Sequence, residues 1–250
     1  MSGHSKWSSV KHKKAARDAK RGKLFTKLIK EITIAARLGG KDPNANPRLR
    51  AAVAAAKAQS MPSENIERAI KRGAGELTGE QLEQATYEGY GPGGVAIIVE
   101  VLTDNRNRIV AELRHIFSRY GGNLGETGCV SWMFKRKGLI TIDKSATTED
   151  KLLEIALEAG AEDVTLEGDV FTVVTAPENY AQVRKAIEEA GIKIIEGEIA
   201  LSPETSVRVS RHDAEQALKL IEELEDHDDV QNVVANIDID EAELAQLTAV

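Results

Sequence analysis

The side chains best suited to chemistry in this chain are cations, and they are concentrated towards the N-terminus. Residues 1–75 carry 18 Lys and Arg against 5 Asp and Glu, which gives this segment a net charge of +13. The whole chain carries −7, so residues 76–250 carry −20. Such a sharp separation of charge indicates the kind of partner that the protein binds and does not indicate its fold. A cationic segment attracts polyanions, and an acidic body repels them. The sequence therefore predicts binding to a nucleic acid through the N-terminal third.

The first part of the cationic segment, residues 1–22, has too little apolar content to bury a core. We expect a basic arm that stays loosely ordered until it meets its partner. Trp7 stands between Lys6 and Lys11, where it could stack on an unpaired base or, equally, fold back onto the helices that follow. His4 and His12 match no metal-ligand spacing and have no Cys nearby, so no metal site is predicted.

A second candidate for phosphate binding is the run DNRNR, 104–108, at a junction between a predicted strand and a predicted helix. Free N–H groups at a helix start attract phosphate, and Arg106 and Arg108 would add bidentate donors. The alternative is that both arginines pair with neighbouring acids such as Glu112. The sequence leaves both interpretations open.

Motifs of catalysis or cofactor binding are weak. Gly89, Gly91 and Gly94 satisfy G-x-G-x-x-G, but a strand follows them instead of a helix, which favours a plain turn. Cys129 lies in the apolar run CVSWMF and is interpreted as a buried thiol. The acidic run 222–229 lacks the glycine and closing glutamate of a calcium loop, so it is interpreted as a solvated helix end. We predict no enzyme and no cofactor.

The elements that must position the cations begin with three amphipathic helices. Apolar residues recur at helical spacing from Leu24, and Gly39-Gly40 provide a stop. Asn46 is placed to cap a second helix with Pro47 in its first turn, and a third helix runs from near Pro62 to Gly73. Lysines 23, 27 and 30 occupy one face of the first helix, and arginines 48 and 50 face outward on the second.

Strands and helices alternate in the acidic remainder. Residues 138–200 give βαββαβ on their own, and the flanking segments 86–134 and about 201–239 each give βαβ, with CVSWMF as a returning strand. This order predicts a split α+β domain interrupted by a second of the same plan. The predicted fold is multidomain α and α+β: an N-terminal three-helix bundle followed by two ferredoxin-like (βαββαβ) domains, one inserted in the other. The predicted boundaries are 1–22 for the arm, 23–78 for the bundle, 79–135 with 201–240 for the split domain and 136–200 for the insert.

The composition limits the cellular compartments in which the protein is expected. Hydrophobic residues make up 42% of the chain, which is enough for real cores, and the single cysteine fits a reducing compartment. No run approaches the roughly 18 apolar residues that a membrane helix needs. A mitochondrial presequence would also be basic, but the cations continue into a segment with the pattern of a folded domain. We therefore expect a cytoplasmic protein.

Several motifs together resemble the YebC family. They are GHSKW (3–7), KRGKLFTKLIKEI (20–32), ANPRLRAAV (45–53), YEGYGPGG (87–94), DNRNR (104–108) and GGNLGE (121–126). The resemblance extends from Gly3 to about Asp240. It implies a helical bundle with two α+β domains, in a cytoplasmic protein of a family usually described as probable DNA-binding transcriptional regulators. Related proteins, including a mitochondrial translational activator, imply ribosome binding and relief of stalled peptide synthesis instead.

Together with the cation pattern, the resemblance predicts a non-enzymatic regulator of transcription that binds DNA through the arm and bundle. The alternative is a ribosome-associated translation factor that binds RNA, and a small-molecule-sensing module rests on fold analogy alone. Neither a membrane nor a small-molecule cofactor is an expected partner. The predicted nucleic-acid contacts are His4, Lys6, Trp7, Lys11, His12, Lys13, Lys14, Arg17, Lys20, Arg21, Lys23, Lys27, Arg48, Arg50, Arg106 and Arg108.

Overall fold

A computed structural model describes residues 19–79 and 81–240. The helices are α1 Ala19–Gly39, α2 Pro47–Ala58, α3 Ser63–Gly73, α4 Arg106–Arg119, α5 Glu149–Glu158, α6 Tyr180–Glu189 and α7 Arg211–Asp226. The strands are β1 Glu83–Tyr90, β2 Ala96–Thr103, β3 Asn123–Leu124, β4 Phe134–Asp143, β5 Ala161–Glu167, β6 Val170–Thr175, β7 Ile194–Pro203, β8 Val207–Arg208, β9 Val230–Ala235 and β10 Ile237–Asp238. This order confirms the predicted fold class, while the predicted domain boundaries stay a prediction.

Helices α1, α2 and α3 form a bundle around a small core that includes Ile32, Leu49 and Ile66. Asn46 caps α2 as predicted, since its side chain accepts a hydrogen bond from the Leu49 N–H at 3.0 Å. The predicted stop also holds: α1 ends at Gly39, and Gly40 has a φ of +88°. Among the described residues, helix α1 already includes Ala19, ahead of the helical pattern predicted from Leu24.

The split α+β unit is built on a four-stranded antiparallel sheet with the order β3-β1-β2-β9. Its core lies between this sheet and helices α4 and α7, with Phe117 and Leu220 completely buried. Strands β1 and β2 form a hairpin whose turn contains Gly93 and Gly94 at φ +69° and +78°. The glycine motif at residues 89–94 therefore contains a hairpin turn, as expected. Two of its positions have a left-handed backbone, which glycine adopts without strain.

The inserted unit contains the second four-stranded sheet, with the order β5-β6-β4-β7 and all pairings antiparallel. Its element order is βαββαβ, and helices α5 and α6 cover one face around the buried residues Phe171 and Val173. This arrangement is the predicted ferredoxin-like plan. A short parallel pair, β8 with β10, lies beside the split unit.

Two local predictions in the split unit are wrong. Residues 86–134 contain β1, β2, α4 and β3, so the segment is ββαβ rather than βαβ. The run CVSWMF is not a strand: residues 131–133 form a short 3-10 turn, and the strand begins at Phe134. The reason is that the Val130 and Ser131 N–H groups bond the Glu88 carboxylate, so they are not available to a strand partner. Within the described residues, no helix has the length and apolarity to cross a membrane.

Candidate nucleic-acid interface

The lysine face of α1 lies against the C-terminal end of α7. Lys23 Nζ is 3.1 Å from a carboxylate oxygen of Asp226 and 3.1 Å from its carbonyl oxygen. Lys27 donates to the carbonyl oxygen of Glu225, and Lys30 donates to that of Asp228 at 3.2 Å. Carbonyl groups at a helix C-terminus lack helical partners and carry the negative end of the helix dipole. The lysine row therefore bonds within the protein, where the sequence suggested a solvated face.

Asp229 is the centre of this contact. Its side chain is only 3% exposed, and it accepts hydrogen bonds from Lys30, from Thr103 Oγ1 at 2.9 Å and from Arg108 Nη2 at 2.7 Å. Burial alone would raise the pKa of Asp229, but the hydrogen bonds from Lys30 and Thr103 and the charges of Lys30 and Arg108 lower it below its ordinary value. The acidic run 222–229 therefore ends in a buried, ionised carboxylate, and its interpretation as a wholly solvated helix end is wrong.

The DNRNR segment lies at the start of α4, as predicted, but its charges have partners in the protein. Arg106 Nε is 2.5 Å from a Glu83 carboxylate oxygen, and Arg108 contacts Asp104 at 2.7 Å as well as Asp229. Asn105 caps the helix by accepting a hydrogen bond from the Arg108 N–H at 3.0 Å. The structure thus shows the ion-paired alternative for both arginines, and their predicted phosphate contacts stay a prediction.

Helix α2 carries two kinds of arginine. Arg48 is bonded to both carboxylate oxygens of Glu31, at 2.7 and 3.0 Å, and to Gln84 at 3.2 Å. Arg50 is exposed and donates only to the carbonyl oxygens of Pro43 and Asn44 among its described contacts, so its charge is not cancelled by a carboxylate there. Lys57, two turns further along the same face, is also exposed.

The distances given above do not test the remaining predicted nucleic-acid contacts. His4, Lys6, Trp7, Lys11, His12, Lys13, Lys14 and Arg17 lie outside the described residues. Lys20 and Arg21 fall in the first turn of α1, where only the backbone is described. Among the described residues of the predicted interface, Arg50 on the outer face of α2 has no carboxylate partner.

A buried carboxylate organises the loop that precedes β4. Glu88 is 5% exposed, and its two oxygens accept hydrogen bonds from the N–H groups of Gly128, Val130 and Ser131, each at 2.8 Å. Burial would raise the pKa of Glu88, but these three backbone donors lower it, so the group is held as a carboxylate. Sequence reasoning did not single out Glu88; the glycines at 121, 122, 125 and 128 were the available signal of an unusual loop.

Two aromatic side chains are exposed at this loop: Trp132 belongs to it, and Tyr90 is the last residue of β1. Trp132 is 71% exposed and Tyr90 is 37% exposed. The Trp132 indole N–H and the Tyr90 hydroxyl both donate to the carbonyl oxygen of Cys129, at 3.2 and 3.0 Å. This pairing was not predicted, because the apolar neighbours of Trp132 in CVSWMF favour a position in the core.

Two further kinds of reactive site concern the Cys129 thiol and clusters of metal ligands. Cys129 is partly buried, and desolvation together with the nearby charge of Glu88 raises the pKa of its thiol, which disfavours the nucleophilic thiolate. Across residues 19–79 and 81–240, no group of three or more His, Cys, Asp or Glu side chains is arranged to hold a metal ion.

Comparison with known protein families matches nearly the whole chain. Residues 5–76 match the model described as the TACO1/YebC protein N-terminal domain, and residues 82–237 match the TACO1/YebC second and third domain. The chain belongs to the TACO1/YebC family. The two matched segments meet between the α-helical bundle and the first strand of the split α+β unit.

Proteins from several bacteria are similar to this chain over nearly their full lengths. A probable transcriptional regulatory protein of Desulforapulum autotrophicum is 60% identical over 239 residues, covering 96% of this chain and 97% of that protein. One of Geobacter sulfurreducens is 58% identical over 247 residues, covering 99% and 100%. The crystal structure of a conserved hypothetical protein from Aquifex aeolicus is 51% identical, with a TM-score of 0.81 over 91% of this chain and 95% of that one.

Proposed function

We propose that this chain is a nucleic-acid-binding regulator that acts on DNA through its basic arm and the outer face of α2. The observation that carries the proposal is the segregation of charge, +13 in residues 1–75 against −20 in the remainder. The relatives named probable transcriptional regulatory proteins support it. Contacts of Lys and Arg with phosphates give affinity without sequence information, so the proposal concerns binding and not the target sequence.

The hydrogen bonds of the α1 lysines reduce the set of cations that we assign to the proposed interface. Lys23, Lys27 and Lys30 bond the end of α7, so releasing them to a phosphate would break contacts inside the protein. Arg50 and Lys57 are exposed on α2 and need no such release. The arm together with this face of α2 is therefore the surface that we assign to the polyanion.

A ribosome-associated role in translation is the second candidate. The exposed rings of Trp132 and Tyr90 favour it, because folded RNA offers unpaired bases in loops and bulges whereas duplex DNA does not. Both candidates use the same cations, so charge alone does not separate them.

The test compares the affinity of the full chain for duplex DNA and for ribosomes at matched salt concentrations. If about six phosphates are neutralised, log Kd for duplex DNA should rise with log salt at a slope of about 5. Binding to ribosomes without competition from duplex DNA would overturn the DNA assignment. A salt-independent affinity would overturn the electrostatic mechanism for both partners.

A matched pair of charge reversals tests where binding occurs. The triple change Lys11→Glu, Lys13→Glu and Lys14→Glu should weaken binding strongly and leave the Tm unchanged. The control changes Lys144, Lys151 and Lys193 to Glu, which alters net charge equally at exposed positions of the inserted unit. Equal loss of affinity in both triple variants would show that only net charge matters and would contradict a defined interface.

A further inference from the structure

Trp132 and Tyr90 form a pair of exposed rings whose polar tips meet at one atom. Both donate to the Cys129 carbonyl oxygen, and their exposed fractions are 71% and 37%. Because the indole N–H and the phenol O–H are already hydrogen-bonded inside the loop, the rings offer a ligand their faces and edges more than their polar tips. Two exposed rings held together at the loop and at the end of β1 offer apolar faces to which a planar group can bind.

The loop that carries Trp132 and the Cys129 carbonyl oxygen is held in place by buried contacts. Glu88 bonds three of its N–H groups, and the Glu126 carbonyl accepts from the Cys129 N–H at 3.2 Å. Gly125 packs so closely on Cys129 that a Cβ at this position would lie 2.5 Å from Sγ. The loop has therefore already lost its conformational entropy when the protein folds. A ligand that stacks on the rings does not have to order them on binding.

The surroundings of the rings identify the class of ligand. Ser131, Glu126 and Thr127 are exposed beside them, and Lys135 forms an ion pair with Glu204 at 2.6 Å. The centre of a protein interface requires a contiguous apolar patch depleted in charge, which these neighbours do not provide. An aromatic pair set among polar groups suits the face of a planar base, while the phosphates of the same strand are expected to lie away from the Glu126 carboxylate.

We propose that Trp132 and Tyr90 form a stacking site for an unpaired base of a single-stranded nucleic acid. The inference rests on the proposed function, since it names the state of the nucleic acid that this second contact takes. Bases stack on aromatic side chains regardless of sequence, with a gain in affinity of about 5- to 150-fold per base. A base inside a duplex is stacked on both faces by its neighbours and cannot enter the site.

The stacking site is distant from the bundle. Tyr90 ends β1 and Glu83 begins it, next to Leu82, whose carbonyl oxygen accepts a hydrogen bond from Arg37 of α1. Seven residue steps along a strand correspond to about 23 Å. A nucleic acid that touched both sites would therefore be held by its phosphates at the bundle and by an unpaired base at the β1–β3 end, without lying along the acidic surface between them.

Fluorescence of Trp132 itself provides the test. The chain has two tryptophans, so Trp7→Phe leaves Trp132 as the sole indole emitter. Binding of unlabelled (dT)15 should quench this emission, while a 15-base-pair duplex should leave it unchanged. Affinities are measured separately, by the anisotropy of dye-labelled forms of the same two probes.

Variants separate stacking from structure. Trp132→Ala should lower the affinity for (dT)15 by about 5- to 150-fold and change the duplex affinity less than twofold. Trp132→Phe retains a ring and should restore most of the loss. Because Trp132 is mostly exposed, neither change should shift the Tm appreciably.

The outcomes are distinguishable. If (dT)15 binds without quenching and Trp132→Ala binds it normally, the stacking site is wrong and the proposed function stands. If neither DNA probe nor ribosomes bind the Trp7→Phe protein or the original chain, the proposed function fails and the stacking site fails with it. Quenching by an unrelated proline-rich peptide but not by (dT)15 would reassign the rings to a protein partner and overturn the proposal.

Discussion

Lys30 of α1 and Asp229, just beyond α7, form an ion pair in which the lysine side chain is 15% exposed and the aspartate side chain 3% exposed. The two residues are 199 positions apart in the chain. Thr103 and Arg108 bond the same carboxylate, so one buried group joins the helical bundle, strand β2, helix α4 and helix α7. This junction is one of the contacts that attach the bundle to the split α+β unit, together with those of Arg37 and Arg48.

The change Asp229→Asn should lower the free energy of unfolding by about 2–4 kcal/mol at pH 7, because it leaves Lys30 without its buried counter-charge. The folded-state pKa of Asp229 is lowered, so its stabilising contribution is present above its ordinary value of about 4 and is lost as pH falls through the folded pKa. Urea unfolding at pH 7 and pH 3 should therefore show a smaller difference from the original chain at pH 3. Asp226→Asn, at a side chain 53% exposed, is the control and should cost less than about 1 kcal/mol.

Binding and stability should separate between α2 and α1. Arg50→Glu with Lys57→Glu should weaken nucleic-acid binding and reduce the slope of log Kd against log salt by about 0.9 per lost phosphate contact, with the Tm nearly unchanged. Lys30→Met should do the reverse, lowering the free energy of unfolding by about 2–4 kcal/mol and leaving the slope as it was. A lowered slope in Lys30→Met would show that α1 contacts phosphate after all.

The Glu88 carboxylate should control the order of the aromatic loop. In Glu88→Gln the new amide cannot accept hydrogen bonds through both terminal atoms, so at least one of the three backbone N–H groups loses its acceptor, at about 1–3 kcal/mol. We expect increased mobility of Trp132, measured as a fall in its steady-state fluorescence anisotropy in the Trp7→Phe background. Glu126→Gln, at an exposed position of the same loop, is the control. Unchanged anisotropy in Glu88→Gln would mean that the loop is ordered by other contacts.

Glycines on two helices of the bundle should respond oppositely to alanine. A Cβ at Gly73 of α3 would meet the Thr33 carbonyl oxygen and the Ala36 Cβ, so Gly73→Ala forces α1 and α3 apart and should destabilise by about 1–3 kcal/mol. At Gly22 of α1 no atom of the described residues lies within 4 Å of the added Cβ, and Gly22→Ala should stabilise by about 0.5–1 kcal/mol through helix propensity. Thermal unfolding of both variants tests the packing, and equal effects would contradict it.

Local signals in the sequence were enough for the helices and for the order of most strands. The Asn46 cap, the Gly39-Gly40 stop and the βαββαβ pattern of the insert depend on neighbours in the chain, and the structure contains all three. The partners of the α1 lysines could not be predicted in this way, since 198 residues separate Lys27 from Glu225. An amphipathic pattern shows that a lysine lies off the apolar face, but only the tertiary fold decides whether a helix end covers it.

The aromatic loop was missed for a related reason. The run CVSWMF has the composition of a buried strand, yet the N–H groups of Val130 and Ser131 bond a glutamate more than forty positions earlier. Once these donors are taken, the strand cannot begin before Phe134, and Trp132 is left outside the core. Hydrophobic patterns describe side chains, and they do not report when a distant carboxylate captures the backbone.

The position of Asp229 also bears on how the molecule is completed during synthesis. The end of α7 contacts the α1 lysines, and strand β9 pairs with β2 in the first sheet. Both segments are synthesised after the whole inserted unit. The bundle and the β1–β2 hairpin must therefore wait for more than a hundred further residues to leave the ribosome before they gain these contacts. A nascent chain in this interval carries its cationic helices uncovered, and a polyanion would have its easiest access to α1 at that moment.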